Sequence, residues 1–360
     1  MIIWGIIFVK QRRLNLVQLV RALAIIFVLI GHLNTLFNAQ FSYDWFDMGV
    51  WGRTGGVDLF FVISGFMITY LYSRHIGDTE KAKTFFKKRI LRIVPLYWLV
   101  TLGAASLFYI FPQLGEEKDR SIVNTIESLF FLNPDPTLVV AWSLSHIILF
   151  YLLFSLLIIK PKIMKIILSL WFATSIILQV FDLHSINRLT EFLFGINNLE
   201  IWAGALVSYI VKKHTIKNEK SLFAFGVLLF LAIWSNNFNH FIHIEMPIFY
   251  CIASFLLLLS IVSVDLKKTI KIPSSLTYIG NSSYSIYLTH GPFLQFYILV
   301  FKKIGLIDML GYNLSMIAIA SVTIVTGTLV YKLFENPLNK YLAKYLLKEK
   351  KVKSFQQKIS

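Results

Sequence analysis

Arg21 and His32 are costly residues for the run "VRALAIIFVLIGHLN", which is apolar and helix-like apart from them and its last residue. Eleven residues of α-helix turn through about 1,100°, within about 20° of three whole turns, and rise roughly 16 Å. The guanidinium and the imidazole therefore leave one face of one helix at different depths. An imidazole is suited to moving protons near neutral pH, and a guanidinium to holding a charged group. Taken singly, each has a plainer use. Arg21 can snorkel to inner headgroups, and His32 can hold two helices together by a hydrogen bond. Sharing a face raises the functional reading of both.

Other polar residues also interrupt apolar runs. In "GGVDLFFVISGFMITY" Asp58 precedes a long apolar stretch. A carboxylate beside an imidazole fixes its tautomer and stabilises the imidazolium, although a first-turn Asp also suits the helix dipole. Ser64 and Gly65 in the same run suit close helix packing. In "FFKKRILRIVPLYW", Arg89 and Arg92 stand i, i+3 on one helical face. Two guanidiniums held together there suit a bidentate phosphate ligand, while Lys87 and Lys88 serve as ordinary anchors. "AWSLSHIILFY" contributes Trp142 and His146. "YIGNSSYSIYLTHGPF", with Tyr284, Tyr287 and His290, is too polar to face lipid. "YKLFENPLNKY" carries Glu335, for which a salt bridge to Arg89 or Arg92 is the economical reading.

These residues need a membrane scaffold to position them. Of the 360 residues, 56% are hydrophobic and only 15% charged, and the mean hydropathy is +0.67. Apolar runs of about 20 residues recur along the chain. Ten spans are expected, at 16–37, 54–73, 93–112, 140–159, 163–182, 192–211, 221–238, 246–264, 276–300 and 310–334. The fold expected is an all-α, polytopic bundle of about ten transmembrane helices. Lys and Arg concentrate in the N-terminal segment, in alternate loops and in the C-terminal tail, which by the positive-inside rule places both termini in the cytoplasm. The net charge of +16 is then topology, and no nucleic-acid partner is expected. Arg21, Arg89, Arg92 and Glu335 fall at the cytoplasmic boundary. His32, Asp58, Trp142, His146 and His290 fall deeper, toward the outside.

Three segments follow: an interfacial stub at 1–15, a membrane domain at 16–338 and a basic tail at 339–360. The opening run "MIIWGIIFV" is too short to span, and its basic cluster follows rather than precedes it, unlike a signal peptide. Cys251 is the only cysteine, so neither a disulfide framework nor a cysteine metal site is expected. Phosphate-loop, HExxH and GxSxG patterns are absent, and no metal is expected.

Taken together, "QLVRALAIIFVLIGH", "GGVDLFFVISGF", "KRILRIVPLYW", "WSLS…FY", "IGNSSYSIYLTHGP" and "YKLFENPL" resemble, in order, the motifs of the acyltransferase-3 family of membrane acyltransferases. The resemblance runs from residue 16 to about 338. It implies transfer of an acyl group, commonly acetyl, from cytoplasmic acyl-coenzyme A to a hydroxyl of a cell-surface or exported carbohydrate, free or lipid-linked, at a bacterial plasma membrane. On that reading Arg89 and Arg92 bind the donor's phosphates with Arg21 at the entrance. His32 is the general base or transient acyl carrier, and Asp58 orients it. Ser64, Trp142, His146, Tyr284, His290 and Glu335 support the acceptor site.

One departure stands out. Relatives usually carry a glutamate after the "WSLSH" block, where this chain has Ile147 and Ile148. His146 taking over the polar role, a different acceptor, and an impaired enzyme are all open. The short stretch after the tenth span also implies that the membrane domain itself handles the acceptor. A transporter using the histidines and Asp58 as a proton relay, or a non-catalytic scaffold, remains the alternative from another class.

Overall fold

The computed structural model describes residues 14–45, 48, 53–133, 135–181, 183, 186–239, 241 and 247–345. The stub sequence through Arg13, Pro134 of the "NPDP" turn and the tail from residue 346 lie outside the described residues. Among the described residues all regular structure is helical. The long helices are α1 (Asn15–Phe41), α2 (Gly56–Tyr72), α3 (Thr79–Ile110), then α5 (Ala141–Ile159) and α6 (Pro161–Val180) beyond the short α4 (Ile122–Leu129). A short α7 (Arg188–Phe194) leads into α8 (Ile196–Lys213), α9 (Glu219–Asn239), α10 (Pro247–Lys267), α11 (Ser274–Lys303) and α12 (Leu306–Val330). A π-helical turn, Tyr331–Glu335, then joins α12 to α13 (Asn336–Tyr345).

Nine helical segments among the described residues are long and apolar enough to cross a membrane. They match nine of the ten expected spans. The tenth expected span, 276–300, lies within α11, which is 30 residues long. Its buried Ser282, Ser283, Ser285, Thr289 and His290 make it more polar than the other nine, and it packs against α1, α3 and α12. The polarity is inverted relative to a water-soluble bundle. Leu, Ile and Phe are exposed along α3, α6 and α9, while Asp58, Glu200, His290 and Glu335 are buried. Such a surface suits lipid, in which polar groups must find partners inside the bundle.

The described part of the segment between α3 and α5 is folded. Glu116 and Asp119 form a reciprocal capping box at a 3-10 turn. The Tyr97 hydroxyl donates to the Ser128 carbonyl (2.6 Å), tying α4 down onto α3.

Two close helix crossings set the positions of α2 and α11. At the α2–α8 crossing, a Cβ on Gly65 would strike the carbonyl oxygen of Ile201, and one on Gly204 would strike that of Val62. At the α1–α11 crossing, a Cβ on Gly280 would strike the Gln18 carbonyl. Small residues permit such backbone approach. Gly204→Val should therefore lower stability by at least about 1–3 kcal/mol through overpacking. Gly103→Val, where a Cβ meets nothing within 4 Å, should leave it unchanged. Thermal unfolding of the two detergent-solubilised variants reads the contrast directly.

Candidate active site

α1, α2, α3, α5 and α11 enclose a cavity of about 270 Å³. Its wall follows α2 from Val57 to Leu71, a rise of roughly 21 Å. Most of that wall is apolar: Phe60, Phe61, Met67, Ile68, Leu144 and Ile147 all face the space. Most of the exceptions gather at its two ends.

At one end Arg21, Arg89 and Arg92 all line the cavity. Arg21 Nη2 donates to Ser283 Oγ (2.8 Å) and Nη1 to Gln18 Oε1 (3.3 Å), so α11 holds this guanidinium across the close crossing at Gly280. The Arg89 guanidinium lies 4.7 Å from the centre of the Tyr72 ring, and its Nε is buried without a hydrogen-bond partner. Arg92 is exposed, which marks the mouth of the cavity at this end. Glu335 is the acidic neighbour, close enough to feel the charges of Arg92 and Arg21. The expected salt bridge to Arg89 or Arg92 is not formed among the described residues. Instead Ser285 Oγ donates to Glu335 Oε2 at 2.6 Å. Three guanidiniums therefore line this end of the cavity, with one carboxylate near two of them, an arrangement that attracts an anion.

Midway, the Tyr284 hydroxyl donates to the Ile93 carbonyl (2.8 Å), joining α11 to α3, and Ser64 lies on the α2 wall. At the far end Tyr287 lines the cavity. Its hydroxyl shares a hydrogen bond with Ser143 Oγ (2.8 Å) and reaches the Val140 carbonyl (3.3 Å). Neither histidine of this end lines the cavity itself. The His290 ring lies 5.8 Å from the Tyr287 ring, and the His32 ring 5.0 Å from His290, centre to centre. His290 is fully buried, whereas His32 is exposed.

Two residues expected at this end turn toward α8 instead. Asp58 is not the partner of His32. Its carboxylate lies 3.4 Å from Arg53 Nη1, and the same nitrogen is 3.8 Å from Glu200 on α8. Arg53 also donates to Asn197 Oδ1. Asp58 thus projects toward α8, while Phe60 and Phe61 of its own helix face the cavity. His146 likewise turns to α8. Its Nδ1 meets Asn198 Oδ1 at 3.1 Å, and because the Asn198 amide donates to the Phe192 and Leu193 carbonyls, Nδ1 must be the donor. Trp142 packs edge-on against His146 and Phe61. The residues of α5 that do face the cavity are Ser143, Leu144, Ile147 and Tyr151.

Residues 15–332 match the family model described as an acyltransferase domain. The chain belongs to this acyltransferase family. It is accordingly an enzyme class that transfers acyl groups, built as a multi-helix membrane protein. The exopolysaccharide production protein ExoZ of Rhizobium meliloti (strain 1021) is 28% identical over 304 residues, 79% of this chain and 88% of that protein. A putative O-acetyltransferase of Staphylococcus aureus (strain COL), SACOL0978, is 28% identical over 376 residues, covering 92% of this chain but 58% of the relative. O-acetyltransferase OatA of S. aureus (strain NCTC 8325 / PS 47) is 27% identical over 360 residues, covering 89% and 56%. The acyltransferase therefore spans little more than half the length of these two staphylococcal relatives. No solved structure matches it.

Sequence reasoning passed over several residues that shape this acyltransferase site. Ser143 and Ser285 supply the hydrogen bonds that fix Tyr287 and Glu335. Short hydroxyls inside apolar spans are common enough that nothing marked these two. Glu200 offered a clearer signal, being a carboxylate in the apolar run "NNLEIWAGALV".

Proposed function

We propose that the enzyme moves an acetyl or similarly small acyl group from acyl-coenzyme A to a hydroxyl of a cell-surface or exported carbohydrate, with His32 as the general base. One observation carries the reading. A single narrow cavity has three arginines at its mouth and ends one aromatic ring short of a pair of histidines. A donor with phosphates at one end and a thioester at the end of a long, thin arm has that shape and that charge distribution. Arg21, Arg89 and Arg92 would hold the phosphates, and the apolar walls would sheathe the arm. The small volume favours a short acyl group over a fatty one. The names of the relatives, exopolysaccharide production and O-acetyl transfer, support a carbohydrate hydroxyl as acceptor.

In the transfer, His32 takes the hydroxyl proton as the acceptor oxygen bonds to the acyl carbon. The carbon–sulfur bond then breaks, and His32 returns the proton to the thiolate. Tyr287 stands between cavity and histidines, so its side chain turns aside for the thioester to reach His32. The arginine end is the cytoplasmic side in this proposal, and the histidine end opens outward. Mass spectrometry of surface glycans from cells with and without the protein tests the reading, together with thioester turnover by the purified enzyme. Loss of one acyl group per modified sugar is expected. Solute flux without thioester turnover would favour a transporter instead.

Ile147 leaves the enzyme active on this reading. Ile147→Glu would bury a carboxylate on an apolar wall, which is costly without a partner. It should lower thermal stability and bring no gain in turnover. A rise in turnover would mark the natural residue as impairing.

A further inference from the structure

The ring of His32 packs beside that of a second imidazole, His290. His290 Nδ1 lies 2.7 Å from the backbone carbonyl oxygen of Tyr287 on the same helix. A carbonyl oxygen can only accept, so Nδ1 carries the hydrogen of this bond. In the uncharged ring the other nitrogen, Nε2, is then a bare lone pair. That nitrogen is buried and has no hydrogen-bond partner. An acceptor left unsatisfied inside a protein is expensive and calls for a donor. Among the described residues, the aromatic rings packed on His290 are those of Tyr287 and His32, the latter 5.0 Å away centre to centre and inclined at 60°. The separation allows a direct N–H···N contact between two imidazoles once the exposed His32 ring rotates.

We infer that His290 is a positioning residue for the acyl transfer, its fixed Nε2 accepting an N–H from His32 so that the other nitrogen of His32 presents a lone pair to the acceptor hydroxyl. The inference rests on the proposed role of His32 and deepens it. The fold supplies each condition. The α11 backbone holds the His290 tautomer, burial keeps water from Nε2, and exposure leaves His32 open to an acceptor. The proton from the acceptor hydroxyl stays on His32 until it reaches the thiolate, and His290 remains neutral throughout. The dyad therefore replaces the imidazole–carboxylate pair expected from the sequence, and Asp58 has no part in it.

The test compares His290→Phe, which keeps a flat ring and removes the acceptor, with His290→Gln, whose side-chain carbonyl can accept near the Nε2 position. Two quantities are read on the intact protein: steady-state acyl transfer, and the rate at which diethyl pyrocarbonate modifies His32, followed by peptide mass spectrometry. For His290→Phe, kcat should fall about 10- to 100-fold, with KM for the acyl donor changed by no more than about threefold. Modification of His32 should slow in parallel. His290→Gln should restore both to within about tenfold of the natural enzyme. A merely structural role would move neither the reactivity of His32 nor the pattern of rescue. Unchanged kcat and labelling in His290→Phe would overturn the inference, and so would a glutamine variant as impaired as the phenylalanine one. If His290→Phe fails to reach the membrane, His290→Leu takes its place in the same comparison. The two readings fail separately. A natural protein that turns over no donor defeats the proposed function, while the labelling comparison still decides the dyad.

Discussion

His32→Ala should reduce acyl transfer by about 10²- to 10⁴-fold, the usual worth of a positioned general base. The protein should reach the membrane in normal amount. Its side chain is exposed and its neighbours on α1, Val28, Leu29 and Leu33, are buried in their own right. Little packing is therefore lost with the imidazole. The loss should fall on kcat, because the arginine end, on the far side of the cavity, still binds the donor. His32→Gln separates the two remaining chemical roles. A transient acyl carrier needs a nucleophilic nitrogen, and a hydrogen-bonding placeholder does not. A glutamine variant as inactive as the alanine one fits either base or carrier, and rapid-quench detection of an acylated His32 tells these apart. Transfer by His32→Ala within about tenfold of the natural rate would place the base elsewhere.

The axial position of each polar residue was legible in the sequence, and its azimuth was only partly so. Residue counts along apolar runs set how far each group stands from a helix end, which is why Arg21, Arg89, Arg92 and Glu335 gather at one level. On α1 the phase was legible as well, because two polar residues eleven apart define a face by themselves. Both indeed meet α11, through Ser283 and His290. α2 and α5 offered no such reference. They are apolar nearly all round, so no polar face shows which side a given residue takes. Asp58 stands two positions before Phe60, and His146 one before Ile147; those small offsets turn the first of each pair to α8 and the second to the cavity. The deciding partner of His146, Asn198, is far off in the chain, and Arg53, which meets Asp58, is drawn to α8 by the equally distant Glu200. Such pairings depend on which helices become neighbours, and the close α2–α8 crossing at Gly65 and Gly204 sets that. The local sequence around Asp58 and His146 carries no trace of it.

Removing the cavity's arginines should weaken donor binding, with much smaller effects on the chemistry of bound donor. A hydrogen bond to a charged group is worth about 1.5–3 kcal/mol, so Arg89→Ala and Arg92→Ala should each raise KM for acyl-coenzyme A by about 10- to 100-fold. Arg92, exposed at the mouth, belongs at the lower end of that range, and Arg89, with its buried and unpartnered Nε, at the upper. Arg89→Lys should recover little. Lysine keeps the charge but loses both the planar fork and the stacking on Tyr72. Arg92→Lys should recover more, since open surroundings ask mainly for charge. Glu335→Gln provides the opposite sign. Glutamine can keep the hydrogen bond from Ser285 while removing the one negative charge near Arg21 and Arg92. KM for the donor should then fall or hold steady, and its dependence on ionic strength should steepen. Initial rates over a matrix of donor and acceptor concentrations distinguish these outcomes. If the arginine variants raised KM for the acceptor instead, the arginine end would be the carbohydrate site and the direction of the proposed channel would be reversed.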